Sequence, residues 1–143
     1  MAKSSADLSG KPPGDMTQSG LGDMTQSGLG DMTTAPTPPQ IIESCNAADY
    51  VDMTMVTGVI AVTPWTPSLG KKCFRVKAGA QVSWGASSTH PLEATTGSTP
   101  TPIPAAPGAK AATTVTFPTA GGVYGWQCAV HTSLMHGAIW VVQ

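Results

Sequence analysis

The chain has 143 residues, with 16 Gly, 13 Pro, 10% charged residues and a formal net charge of -1. That length suits one ordinary domain and is short for two. The sparse, balanced charge argues against a nucleic-acid binder, which needs a concentrated positive field, and no apolar run reaches the roughly 18 residues of a membrane span.

Composition breaks near residue 40. Every aromatic lies after it: Tyr50, Trp65, Phe74, Trp84, Phe117, Tyr124, Trp126 and Trp140. So do all three Cys and all three His. Residues 1–40 carry two Lys and four Asp, and residues 41–143 carry five basic and four acidic groups. Without aromatics, residues 1–40 cannot bury enough apolar area to offset the entropy of ordering them. They are expected to form a disordered tail.

Within the tail, Gly14-Asp15-Met16-Thr17-Gln18-Ser19-Gly20-Leu21 recurs as Gly22 to Leu29, and a third copy begins at Gly30. This period is far too short for a solenoid unit. Ala35-Pro36-Thr37-Pro38-Pro39 then reads as a stiff, extended linker. Met16, Met24 and Met32 offer soft thioethers suited to Cu(I), so the tail is either a plain linker, a tether or a copper-acquisition arm. No apolar h-region follows Met1-Ala2-Lys3, so no secretory signal is visible.

Residues 41–143 read as one all-β domain. Runs rich in Val, Ile, Thr and aromatics predict strands over Tyr50–Val62, Lys72–Lys77, Gln81–Trp84, Thr113–Phe117, Val123–Cys128 and Ala138–Val142. In the second run, Lys71, Cys73, Arg75 and Lys77 alternate with Phe74 and Val76. That predicts a basic row facing solvent and an apolar pair facing the core. In the fifth run, Tyr124, Trp126 and Cys128 share one face, predicted to be buried. Thr95–Lys110 holds four Pro and reads as a long surface loop. Short strands and frequent turns predict a two-sheet, Greek-key β-sandwich.

Three Cys allow at most one internal pair. Cys45 and Cys73 are the natural partners, and their bridge would contribute about 3 kcal/mol and imply an oxidising compartment. The alternative is two unpaired thiols. Cys128 is different, because it opens Cys128-Ala129-Val130-His131-Thr132-Ser133-Leu134-Met135. A thiolate, an imidazole and a thioether thus share one loop, with His90 as the upstream imidazole. Trigonal Cys plus two His with a weak axial Met is the donor set of a type 1 copper site. Zinc is the competing reading, using Cys128, His131, His90 and His136, although structural zinc sites carry more Cys and no thioether.

With these residues in view, residues 41–143 resemble a cupredoxin of the plastocyanin, amicyanin and pseudoazurin group. The resemblance rests on Tyr124-Gly125-Trp126-Gln127-Cys128-Ala129-Val130-His131, on Met135-His136-Gly137, and on Ser88-Thr89-His90-Pro91. It implies His90, Cys128, His131 and Met135 as ligands of one copper ion, Cu(I) or Cu(II), and one-electron transfer. It also implies that His131 is the electron port and that uncharged Ala129, Val130, Leu134 and Pro91 form a docking patch for transient redox partners. Two features depart from the family: three residues separate His131 from Met135, and Pro91 stands where the family usually has Asn. Proline offers no N–H to the Cys sulfur.

The expected function is therefore a monomeric blue copper electron carrier, not an enzyme. The alternative is a copper storage or delivery protein. A fragment of a copper enzyme would need more His than His90, His131 and His136. The disulfide and the copper point to a periplasmic or extracellular location.

Overall fold

The computed structural model describes residues 39–143. The linker, tether and repeat readings fall on residues 1–38, outside the described residues. The rest is a two-sheet sandwich. The larger sheet has the order β1 (Val51–Asp52), β3 (Gly70–Lys77), β8 (Met135–Val142), β7 (Val123–Cys128) and β5 (Leu92–Gly97). The smaller has the order β2 (Val59–Val62), β4 (Ala80–Trp84) and β6 (Thr113–Phe117). Only β7 and β8 are neighbours both in sequence and in a sheet; every other connection crosses between the sheets. The parallel pairs β1–β3, β2–β4 and β3–β8 follow from those crossings.

Alternation builds the core. Ile60 and Val62 of β2 turn inward while Val59 and Ala61 turn out. Val82 and Trp84 of β4 and Val115 and Phe117 of β6 complete the inner face of the small sheet. Phe74, Val76, Trp126, Ile139 and Val141 meet them from the large sheet. Each such side chain contributes roughly 1.5–3 kcal/mol by leaving water. The inward face expected for Tyr124, Trp126 and Cys128 is observed, with all three buried. Gly137 is required where β8 passes β3, because a Cβ there would overlap the Lys72 carbonyl and the Trp126 ring.

The Cys45–Cys73 disulfide is formed, with its Cα atoms 5.9 Å apart. On the outer face of β3 Lys71 and Lys77 are exposed as expected, and the bridge corrects only the position of Cys73. Cys73 is buried beneath Ile42 and Cys45, beside Val123 and Ala138, in a second small core outside the large sheet. The segment leading to the bridge turns sharply. Glu43 and Ser44 have φ of 50° and 61°, and Cys45 N–H donates to the Ile42 carbonyl at 2.8 Å. Two consecutive positive φ values make this a type I′ geometry, which Asn-Gly suits better than Glu-Ser.

Two pairs neutralise much of the expected basic row. Lys71 Nζ donates to Asp49 Oδ2 at 2.9 Å and to the Ser44 carbonyl at 3.0 Å. Arg75 Nη1 donates to Asp52 Oδ2 at 3.2 Å, with its guanidinium 5.4 Å from the Trp140 ring centroid. Pairs this exposed contribute about 0–1 kcal/mol each.

Two strand expectations change. Tyr50–Val62 is not one strand but β1 and β2, in different sheets, separated by a turn in which Val56 N–H donates to the Met53 carbonyl. The Thr95–Lys110 loop overlaps the end of a strand, β5, whose polar half-buried residues lack an apolar alternation. Beyond β5 the chain folds back over the strand. Ala94 N–H donates to the Pro104 carbonyl at 2.7 Å, and Leu92 exchanges hydrogen bonds with Ala109. This covers an otherwise open sheet edge.

Candidate metal centre

The sheet register assembles the centre. Cys128 ends β7 directly opposite Leu92, the first residue of β5. His90 lies two residues before Leu92, so the same pairing delivers it to the same end of the sandwich. Between Cys128 and β8 the chain makes one tight turn. Leu134 and Met135 N–H groups both donate to the His131 carbonyl, at 3.0 and 2.9 Å. Ala129 N–H donates to the Pro91 carbonyl at 2.9 Å, and Gly70 N–H to the Leu134 carbonyl at 2.8 Å. The His131 loop is thus tied to the His90 loop and to β3.

Three side chains converge. His90 Nδ1 and His131 Nδ1 are 3.1 Å apart, and Cys128 Sγ is 3.9 Å from the first and 3.8 Å from the second. They form the metal-compatible His-Cys-His group among the described residues. A point equidistant from these three atoms lies about 2.1 Å from each, within the ~2.0–2.3 Å span of metal–nitrogen and metal–sulfur bonds. The triangle therefore fits a metal ion without moving the chain. Cys128 is fully buried and the two rings are half-buried, so the sulfur is kept from bulk water.

Met135, the fourth residue expected at the site, begins β8 on its inward face. It is fully buried and belongs to the same apolar cluster as Cys128. His136 points to the opposite face of β8 and does not join the group. Its Nδ1–H donates to the Thr132 carbonyl at 2.9 Å. That corrects the four-ligand zinc reading, which needed His136 beside the other three.

The His90 loop is braced by groups the sequence did not single out. His90 N–H meets the Ser87 carbonyl and hydroxyl, each at 3.2 Å, and the His90 carbonyl accepts Ser87 N–H at 3.1 Å. That carbonyl also accepts Trp65 Nε1–H at 2.9 Å. A Trp between two prolines in Thr63-Pro64-Trp65-Thr66-Pro67 was the available signal, since so stiff a loop fixes where its one large side chain goes.

Three loops at this end carry no charge, and Lys110 follows Ala109 where the 98–112 segment returns beside Leu92. Residues 63–69, 85–91 and 129–135 contain no Asp, Glu, Lys or Arg. Val130 and Leu134 are exposed there, at 60% and 48%. Among the described residues, no helix is long and apolar enough to cross a membrane. The chain matches no family model, no curated protein and no solved structure.

Proposed function

We propose that this protein is a cupredoxin-like electron carrier that binds one copper ion through His90, Cys128, His131 and Met135. The observation that carries the reading is the triangle of one buried thiol sulfur and two half-buried imidazole nitrogens, sized for a metal. Soft sulfur and borderline imidazole donors together suit both Cu(I) and Cu(II). One thiolate and two imidazoles, with the buried Met135 at the end of the His131 loop, favour copper over a structural zinc.

Copper bound there supplies a reversible one-electron couple. The chain's own residues do the rest. Cys128 contributes a buried thiolate from the rigid end of β7. His90 and His131 approach from separate loops that are cross-tied by backbone hydrogen bonds. Such a frame resists the rearrangement that a change of metal charge would otherwise demand, which keeps electron exchange fast. Half-buried His131, ringed by Val130 and Leu134, is the port through which a partner docks. Small, weak contacts suit rapid turnover. The chain has three His in all, and His136 faces away, so a second metal centre of the kind copper enzymes use lacks its ligands. The protein acts as a monomeric carrier and not as a catalyst. The disulfide supports a periplasmic or extracellular location.

The test is Cu(II) titration followed by visible absorption and EPR, then reduction by ascorbate. The reading expects an intense blue band saturating at one equivalent, narrow copper hyperfine splitting and reversible bleaching. A weak, pale spectrum overturns it. Removing residues 1–33 should leave affinity and potential unchanged; a slower loading rate would instead favour the copper-delivery reading.

A further inference from the structure

Three indoles cluster in the core behind the centre. Trp65 and Trp126 ring centroids are 5.7 Å apart, and Trp84 and Trp126 are 6.0 Å apart. The indole nitrogens of Trp84 and Trp126 are buried with no hydrogen-bond partner. Trp65 alone has one, the carbonyl of His90, at 2.9 Å. A buried N–H without a partner costs free energy, so the one satisfied indole of the three marks a specific contact.

Trp65 also bridges the two ligand-bearing elements. Its N–H holds the His90 loop, while its ring lies against Trp126, two residues before Cys128 on the same face of β7. Its Cβ lies against Gly85, where an added Cβ would come within 3.2 Å. Pro91 follows His90, so the next residue has no N–H with which to tie the loop. The Trp65 side chain adds a donor on the His90 carbonyl to the Ser87–His90 and Ala129-to-Pro91 backbone bonds of this loop.

We infer that Trp65 is a positioning residue that sets the separation of His90 and Cys128 by bonding one and packing against the strand of the other. The inference rests on the proposed metal centre, but part of its test needs no metal. Outer partners of ligating groups commonly change metal affinity about 10-fold to 100-fold when removed.

The experiment compares the full chain with Trp65→Phe and with Trp84→Phe, which removes a clustered indole that does not touch His90. In metal-free protein, the Trp65 indole N–H should exchange with solvent far more slowly than a free indole. Trp65→Phe should move the His90 ring resonances more than Trp84→Phe does. With copper added, Trp65→Phe should lower affinity about 10-fold or more and shift the reduction potential, while Trp84→Phe leaves both near the parent values. Fast indole exchange in the parent overturns the inference, whether or not the variant folds. Equal effects of the two variants overturn it too, because they would reduce Trp65 to ordinary core packing. If the parent gives no blue band yet the metal-free differences hold, the copper reading fails and the positioning role stands.

Discussion

His90 Nδ1 and His131 Nδ1 lie 3.1 Å apart although 41 residues separate them along the chain. Neither loop sets that distance by itself. It follows from the Leu92–Cys128 pairing of β5 with β7 and from the Ala129-to-Pro91 hydrogen bond that ties the loops together. The thiol of Cys128 closes the triangle. Cys128→Ser keeps the volume nearly constant and replaces a soft donor with a hard one. The variant should fold, lose the blue band completely and bind Cu(II) at least about 100-fold more weakly. Absorption and equilibrium competition with a chelator check both outcomes.

The uncharged loops at the metal end make a second prediction. Steering by charge weakens as ionic strength rises, and it is small where few charges face the partner. Electron exchange with a small anionic redox reagent should change by less than about twofold between 10 and 300 mM salt. Stopped-flow rates across that range are the measurement. Val130→Lys should introduce a clear salt dependence with an anionic reagent.

Tyr50 makes the third. Burial, and then the neighbouring Asp49 charge, push its hydroxyl up from 10 to about 12. The neutral form is therefore favoured in the folded state. The associated stability is fully present below pH 10 and is lost as pH rises through about 12. Ultraviolet titration should show one late-ionising tyrosine, and Tyr50→Phe should move alkaline unfolding to higher pH.

The fourth concerns Ser44, held at φ 61°. Glycine carries no penalty in that region. Ser44→Gly keeps the backbone carbonyl that Lys71 uses. It should stabilise the fold by about 0.5–1 kcal/mol, seen as a higher thermal midpoint.

Much of this was legible in the residues, for identifiable reasons. The faces of β4 and β6 follow from alternation, because one side of each is buried against the other sheet, whereas β7 is buried on both faces and its inner one is marked by Tyr124, Trp126 and Cys128. The His, Cys and Met donor set was readable because its chemistry is distinctive at close spacing. The strand β5 was not legible, since Glu93, Thr95 and Thr96 on a covered edge look like loop residues. Nor was the split within Tyr50–Val62, because Met53, Met55 and Val56 continue the apolar composition through a turn. Sequence misjudged one residue on the outer face of β3, Cys73. Its basic row does face solvent, but the Cys45 bridge brings a covering segment over Cys73. The link from Trp65 to His90 depends on how two crossover loops meet, and no local pattern encodes that.

The bridge between Cys45 and Cys73 has a mechanical meaning as well. Chain entering at residue 39 is stapled covalently to β3, near the middle of the large sheet. Force applied through that entry is borne by the staple and passed to β3 and its neighbour β8. Ile42, which precedes the staple, packs against β5 and β7 at Gly97 and Gly125, toward the opposite end of that pairing from Leu92 and Cys128. A pull from the N-terminal side therefore enters the sheet through the staple and the Ile42 contact, and not through His90, Cys128 or His131.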